Sequence, residues 1–455
     1  MTSSAAMKSL AKTPAPRRPP APRGAASLIV VMLLFFLMAL VAVYTSRNMI
    51  FEQRTSANQY RSSQAFEAAE AGLNWALAQL NGGRIDTACL HTTDTTQTSF
   101  RARYIDTIDA LGNVTLKDWT TPAGTNAALM PSCIFDPQAN IWRCDCPNAA
   151  APTLPSVTAA GAKPIFRVRF EYLSAAPNTR RDVIRIVSAG CSRADPACLA
   201  EIPSAPPGDA MAIVSALVTL RSGLSTVPGA ALTALGNVSG GAGPLRLTNL
   251  DPVTQGTTVL SGGDVTGTVA HSSLPGTPAE ESVGARDTRL IGFASGARMF
   301  GALFGMAPAT YSDQPGAVRL DCAAGCNSVT VNAAAAQSPG KMIWISGDLN
   351  MNGSIGAAPT PGSLAASELA AGRPVMMVVT GSATLSAGTL FGVIHSLAAT
   401  WDRGVGTAVV RGALVGGGDF GGSGNQQVIY EPEILNELRT RSGTFVRVPG
   451  GWRDF

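Results

Sequence analysis

The chain has 455 residues and a net charge of +4, with charged residues at only 14% and aromatics at 6%. So few charges and 48 Gly with 30 Pro exclude a helical bundle, a coiled coil and a disordered charged tail, and they point to a turn-dense β protein. The charge is also misplaced for a nucleic-acid binder, which needs clustered cations on its folded body. Lys8, Lys12, Arg17, Arg18 and Arg23 stand in the first 24 residues without any acid, and the remaining chain is close to neutral.

After that basic leader, Ala25–Tyr44 reads AASLIVVMLLFFLMALVAVY, with no charge and no Pro. About 20 helical residues cross a bilayer, and a secretory signal core is shorter, so this run reads as a single membrane span. The positive-inside rule puts residues 1–24 in the cytoplasm and the rest outside. From Thr45 to Leu80 there is no Pro, and Phe66, Ala69, Leu73, Ala76 and Leu80 recur at steps of three and four. That spacing makes one apolar stripe on a helix. Asn81-Gly82-Gly83 supplies the stop. One helix therefore spans about 25–81, roughly 80 Å long. Its first half needs lipid or other helices around it, and its second half needs a sheet to lie on.

The leader ending in Gly24, the apolar helix start and RTSANQYRSSQAFEAAEAGLNWALAQL resemble the PilX-type minor pilins of type IV pili. The resemblance is sharpest at Phe66, Glu67, Ala68, Ala69, Glu70, Ala71, Gly72 and Leu73, and the closing VPGGWRDF is similar more weakly. It implies cleavage by prepilin peptidase between Gly24 and Ala25, methylation of the new N-terminus, and packing of Ala25–Tyr44 against other pilins. The implied partners are pilins, inner-membrane pilus assembly proteins, the peptidase and the membrane, then a surface or adhesion ligand on the pilus or cell surface. Major pilins carry Glu where this chain has Ile29, so shaft-type polymerisation is not implied. A position at or near the tip is expected. A type II secretion minor pseudopilin and a signal-anchored, polysaccharide-binding envelope protein stay open as alternatives.

Eight cysteines follow the span: Cys89, Cys133, Cys144, Cys146, Cys191, Cys198, Cys322 and Cys326. An even count outside the cytoplasm reads as disulfides. Cys191–Cys198 and Cys322–Cys326 are the most local pairs, and the other four can pair in more than one way. Zinc would need four ligands in two close pairs, and His91, His271 and His395 are isolated.

Residues 82–225 are expected to form a pilin-like sheet. Phe100–Ile105, Pro164–Tyr172, Arg181–Ser188 and Met211–Leu220 read as strands, and Ala149–Ala162 as a loop. In PIFRVRFEY, Phe166, Val168, Phe170 and Tyr172 make an apolar face that would cover the helix. Residues 226–455 have another texture: Gly-rich turns between short apolar strands at Met342–Ser346, Pro374–Thr380, Thr389–Ile394, Thr407–Val415 and Gln427–Tyr430. A loose G-[DN]-[VL] motif recurs at Gly236, Gly263 and Gly347, which suggests a solenoid or sandwich. The one short helix expected there is Glu433–Arg441. The fold class is thus α+β: a long pilin helix on an antiparallel sheet, then a β-rich C-terminal domain.

Motifs that could carry chemistry fail on context. Gly416–Gly421 fits G-x-G-x-x-G but precedes a strand, where dinucleotide binding needs a helix. Pro339-Gly340-Lys341 lacks the rest of a P-loop. Asp348, Asn350 and Asn352 match half a calcium loop, but Pro359 stands where a bidentate Glu belongs, so a polar Asn-Gly turn is expected. No catalytic constellation, metal or cofactor is indicated, and the expectation is a structural subunit rather than an enzyme.

Overall fold

The computed structural model describes residues 25–117, 130–148, 153–173, 182–200, 209–370 and 372–454. The chain divides into a unit ending at Tyr60 and a second running from Arg61. One unbroken helix, Ala25–Leu80, contributes to both. In the first unit its large apolar side chains, from Leu28 to Phe51, are all exposed, Phe35 at 74%. It is long and apolar enough to cross a membrane.

In the second unit the helix turns a face of small residues inward. Ala65, Ala68, Ala69, Leu73, Ala76 and Leu80 are buried. They lie on a six-stranded antiparallel sheet ordered Gly443–Arg453, Met211–Ser222, Val183–Cys191, Ile165–Tyr172, Ser132–Asp136, Ile141–Asp145. Phe166, Val168 and Phe170 project to the helix side as the alternation requires, and Phe166 meets Trp75 with ring centroids 5.6 Å apart. The opposite face is not left to solvent. Ile165 and Arg167 are buried there, and Arg167 Nε donates to the Cys198 carbonyl of the turn Pro196–Leu199.

Approach between helix and sheet is close enough to need glycine on both sides. A Cβ on Gly72 would stand 2.3 Å from Ser188 Oγ and 2.7 Å from the Phe166 ring. One on Gly190 would stand 2.3 Å from both the Ala65 carbonyl and the Ala69 amide nitrogen. The helix stop also has a tertiary partner. Asn81 Nδ2 donates to the Phe445 carbonyl and Asn81 Oδ1 accepts the Phe445 amide, at 2.9 and 2.7 Å. The side-chain amide thereby serves the final strand as a neighbouring backbone would.

Phe100–Tyr104 is a short helix, not the strand its alternation suggests. Ser99 caps it by accepting the Ala102 amide, and all five side chains are buried, so no solvent face exists for alternation to report. The strand begins only at Ile105.

Between Leu232 and Ile429 the strand pairings are all parallel, in the manner of a solenoid. Its coils do not follow chain order. Ala317–Asn327 pairs with Met342–Asn352, then come Val375–Val379, Thr389–Ser396 and Val409–Gly416. Onto Val409–Gly416 stacks the earlier segment Leu232–Ala234, followed by Val259–Ser261 and Val283–Gly284. Residues from about 285 to 316 cross between the two ends and carry helices Thr288–Ile291, Gly296–Phe304 and Pro308–Ser312. With Ser328–Gln337 and Leu364–Leu369, these correct the expectation of a single short helix. Caps were there to be read: Ser295 and Asn327 accept amides at the N-termini, and Gly305 ends Gly296–Phe304 at φ 75°. The expected helix near Glu433 spans Pro432–Arg441.

The recurring G-[DN]-[VL] motif marks one corner of successive coils. The Asn237 amide donates to Asp419 Oδ1 at 2.7 Å, and the Asp264 amide donates to Asn237 Oδ1 at 2.9 Å. Arg286 closes the row with a two-point contact on Asp264. Gly418-Asp419-Phe420 is thus a further copy, and the formal G-x-G-x-x-G run is a solenoid corner. Asp348, Asn350 and Asn352 lie in the strand Met342–Asn352 rather than in a turn, and the side-chain oxygens of Asp348 and Asn350 serve the next coil. Asp348 accepts the Ser382 amide and Asn350 accepts the Ser386 hydroxyl.

Candidate functional site: the N-terminal helix and its seat

Two surfaces of the helix carry distinct chemistry. The first is the exposed apolar run of the N-terminal unit, where Ile29 is 60% exposed. Gly24 lies outside the described residues, and Ala25 is the first residue of the helix. The second is the sequence motif itself. Ala68, Ala69, Gly72 and Leu73 face the sheet, whereas Phe66 and Ala71 are half-buried at the edge of the contact. Glu67 is exposed, Glu70 is half-buried, and among the described residues neither forms an ion pair. The motif therefore joins a small-residue seat to outward carboxylates, and nothing in it positions a reacting atom.

The seat is locked by residues that sequence reading passed over. FRARY places Arg101 and Arg103 on one turn, both buried. Arg101 Nη2 donates to the Leu80 and Gly443 carbonyls at 3.2 and 2.9 Å, so one guanidinium closes the helix C-terminus and the start of the last strand. A cation here also meets the negative end of the helix dipole. Its carbon Cζ stands 4.9 Å from the Phe445 ring centroid. Arg103 donates to the Ile85, Asp86 and Cys146 carbonyls, all at 2.8 Å. Burial pulls both guanidinium groups below their ordinary range, Arg101 to about 10. Both remain charged at neutral pH. Two Arg residues alternating with apolar ones in so short a run were the available signal.

The eight cysteines form four disulfides: Cys89–Cys146, Cys133–Cys144, Cys191–Cys198 and Cys322–Cys326. The two local pairs are those expected. Cys133 and Cys144 face each other directly across neighbouring strands. Cys89–Cys146 ties the segment after the helix to the end of the edge strand, beside the carbonyls that Arg103 holds.

The histidines are not gathered. His395 is fully buried, His271 Nδ1 shares a 2.8 Å hydrogen bond with Thr258, and His91 sits in a bridge with Ile85. Among the described residues no group of three His, Cys, Asp or Glu could hold a metal ion.

Residues 23–74 match the family described as PilX N-terminal. The matched stretch covers the apolar run and the sheet-facing motif through Asn74, so the chain carries a PilX-type N-terminus. A solved structure, of the competence-associated pilin ComZ from Thermus thermophilus, is similar at 11% identity, covering 87% of this chain and 98% of that one with a TM-score of 0.20. No curated protein matches.

Proposed function

We propose that this chain, with its PilX-type N-terminus, is a minor pilin-like subunit of type IV pilus assembly. The observation that carries the reading is the coincidence of the family match over 23–74 with a helix that carries no charge from Ala25 to Tyr44 and whose large apolar side chains there are exposed. Such a surface is stable only in lipid or among other apolar helices, the two environments a pilin occupies in turn. The basic leader keeps the N-terminus in the cytoplasm and the outer domains beyond the inner membrane. Prepilin peptidase cuts between Gly24 and Ala25, because a leader with five cations could not enter an apolar helix bundle. The new N-terminus is then methylated.

Ile29 bears on position. It offers no carboxylate to the ammonium of a neighbouring subunit, and an unpaired buried ammonium costs several kcal/mol. A subunit with nothing ahead of it has no such need, so the chain sits at low copy at or near the tip. The solenoid is the part presented there for adhesion. Intact mass measurement of membrane-purified protein tests the processing: Gly24→Trp leaves a precursor longer by the leader, whereas a mature start near Thr45 refutes the pilin reading. Quantitative mass spectrometry of sheared pili tests the position, and a copy number comparable to the major pilin overturns it.

A further inference from the structure

Residues 84–95 and 332–375 enclose a cavity of about 550 Å³. That volume suits a ligand of one or two sugar rings. Its wall holds three cations, Arg84, Lys341 and Arg373, and a single acid, Glu368. The acid is already engaged: its two carboxylate oxygens accept the Ser99 amide and hydroxyl, both at 2.8 Å. Arg84 is engaged as well, donating to the Ala336, Gln97 and Glu368 carbonyls. Arg373 pairs with Glu437 at 3.1 Å through one nitrogen and reaches Glu368 only at 4.0 Å through another.

Lys341 is different. Among the described residues no carboxylate pairs with its half-buried ammonium and no carbonyl accepts from it. Further positive charge lies beside it. A Cβ on Gly340 would stand 3.6 Å from Arg101 Nη1 and 3.8 Å from Arg373 Nη1, so two guanidinium groups converge on the adjoining residue. Burial, with Arg101 second, pulls the Lys341 ammonium down to about 8, where it is still mostly charged at pH 7. A partly desolvated cation without a counter-charge is unfavourable, and an anion in the cavity would relieve it. Thr95 and Ser338 line the same cavity, and among the described residues their hydroxyls bond to nothing else.

We propose that this cavity binds a sugar-sized ligand bearing an oxyanion, a carboxylate or a phosphate, with Lys341 as its counter-charge and the Thr95 and Ser338 hydroxyls meeting its polar body. The test is calorimetric titration of the full chain in detergent micelles at low salt. The probes are glucuronate, glucose 6-phosphate and neutral glucose. At least one anionic sugar should bind saturably, more weakly as salt is added, while glucose does not bind; which anion binds identifies the headgroup. Lys341→Met should weaken that binding about tenfold or more through loss of a charge-assisted hydrogen bond. The same variant should melt no lower than the parent, because the lysine it removes is unpaired, and Lys341→Arg should keep most of the affinity. Absence of binding by both anionic sugars at millimolar concentration overturns the proposal, as does a Lys341→Met protein that binds like the parent.

Discussion

His395 offers a test of the solenoid core through its acid response. The imidazole is fully buried on the strand Thr389–Ser396, and neither ring nitrogen has a hydrogen-bond partner among the described residues. Phe300 and Phe304 meet it edge-on, with centroids 5.3 and 5.6 Å away. Burial alone lowers its pKa to about 3, against an ordinary value of 6.5. The folded state therefore keeps a neutral ring while the unfolded chain takes up a proton. Above pH 6.5 neither state is protonated and the full stability is present. As pH falls from 6.5 towards 3 the unfolded state binds the extra proton, and stability declines by up to about 1.4 kcal/mol per pH unit. The whole interval amounts to at most about 5 kcal/mol. His395→Leu removes the titration, and it also removes two buried nitrogens that lack partners, so it should be at least as stable at pH 7.5. Denaturant melts of parent and variant at pH 7.5, 6 and 4.5, with disulfides intact, read the difference. The parent should lose ground to the variant by about 2.7 kcal/mol between the first and last of these pH values. Parallel acid profiles for the two proteins would refute the reasoning.

Gly190→Val should cost about 3 kcal/mol or more and loosen the helix from the sheet, because its Cβ meets backbone of Ala65 and Ala69 that cannot turn aside; hydrogen exchange along Ala65–Ala76 reads this, and unchanged protection would contradict it. Paired replacement of Cys89 and Cys146 by Ser opens a loop of 57 residues and should lower stability by about 4 kcal/mol, measured by chemical denaturation without reductant. Arg101→Leu should be more damaging than Arg101→Lys, since one ammonium still meets the helix dipole and a carbonyl, and thermal melts that rank them the other way would remove the locking role.

Local chemistry was enough for a good part of this protein. The helix Ala25–Leu80 was legible because its determinants lie within a few turns: an uncharged run, a stripe at steps of three and four, and Asn81-Gly82-Gly83 at its end. The strand Ile165–Tyr172 was legible for the same reason, since Phe166, Val168 and Phe170 recur at a period of two and all face the helix, although part of the opposite face is covered as well. Cys191–Cys198 and Cys322–Cys326 were legible as the most local pairs, each closing a short loop. Phe100–Tyr104 alternates as well but was misread, because its two Arg side chains are buried against backbone carbonyls and do not mark a solvent face. Asp348 and Asn350 resembled turn or calcium residues because their partners, Ser382 and Ser386, come from the next coil. Nor could any window of sequence show that Leu232–Ala234 stacks on Leu414–Gly416 while Gly443–Arg453 returns to pair with Met211–Ser222. Those pairings join segments about 180 to 240 residues apart, and they are decided by which apolar faces can be buried together once the chain has closed on itself. The cavity around Lys341 is a product of the same closure, because its cations come from three segments that meet only in the folded chain.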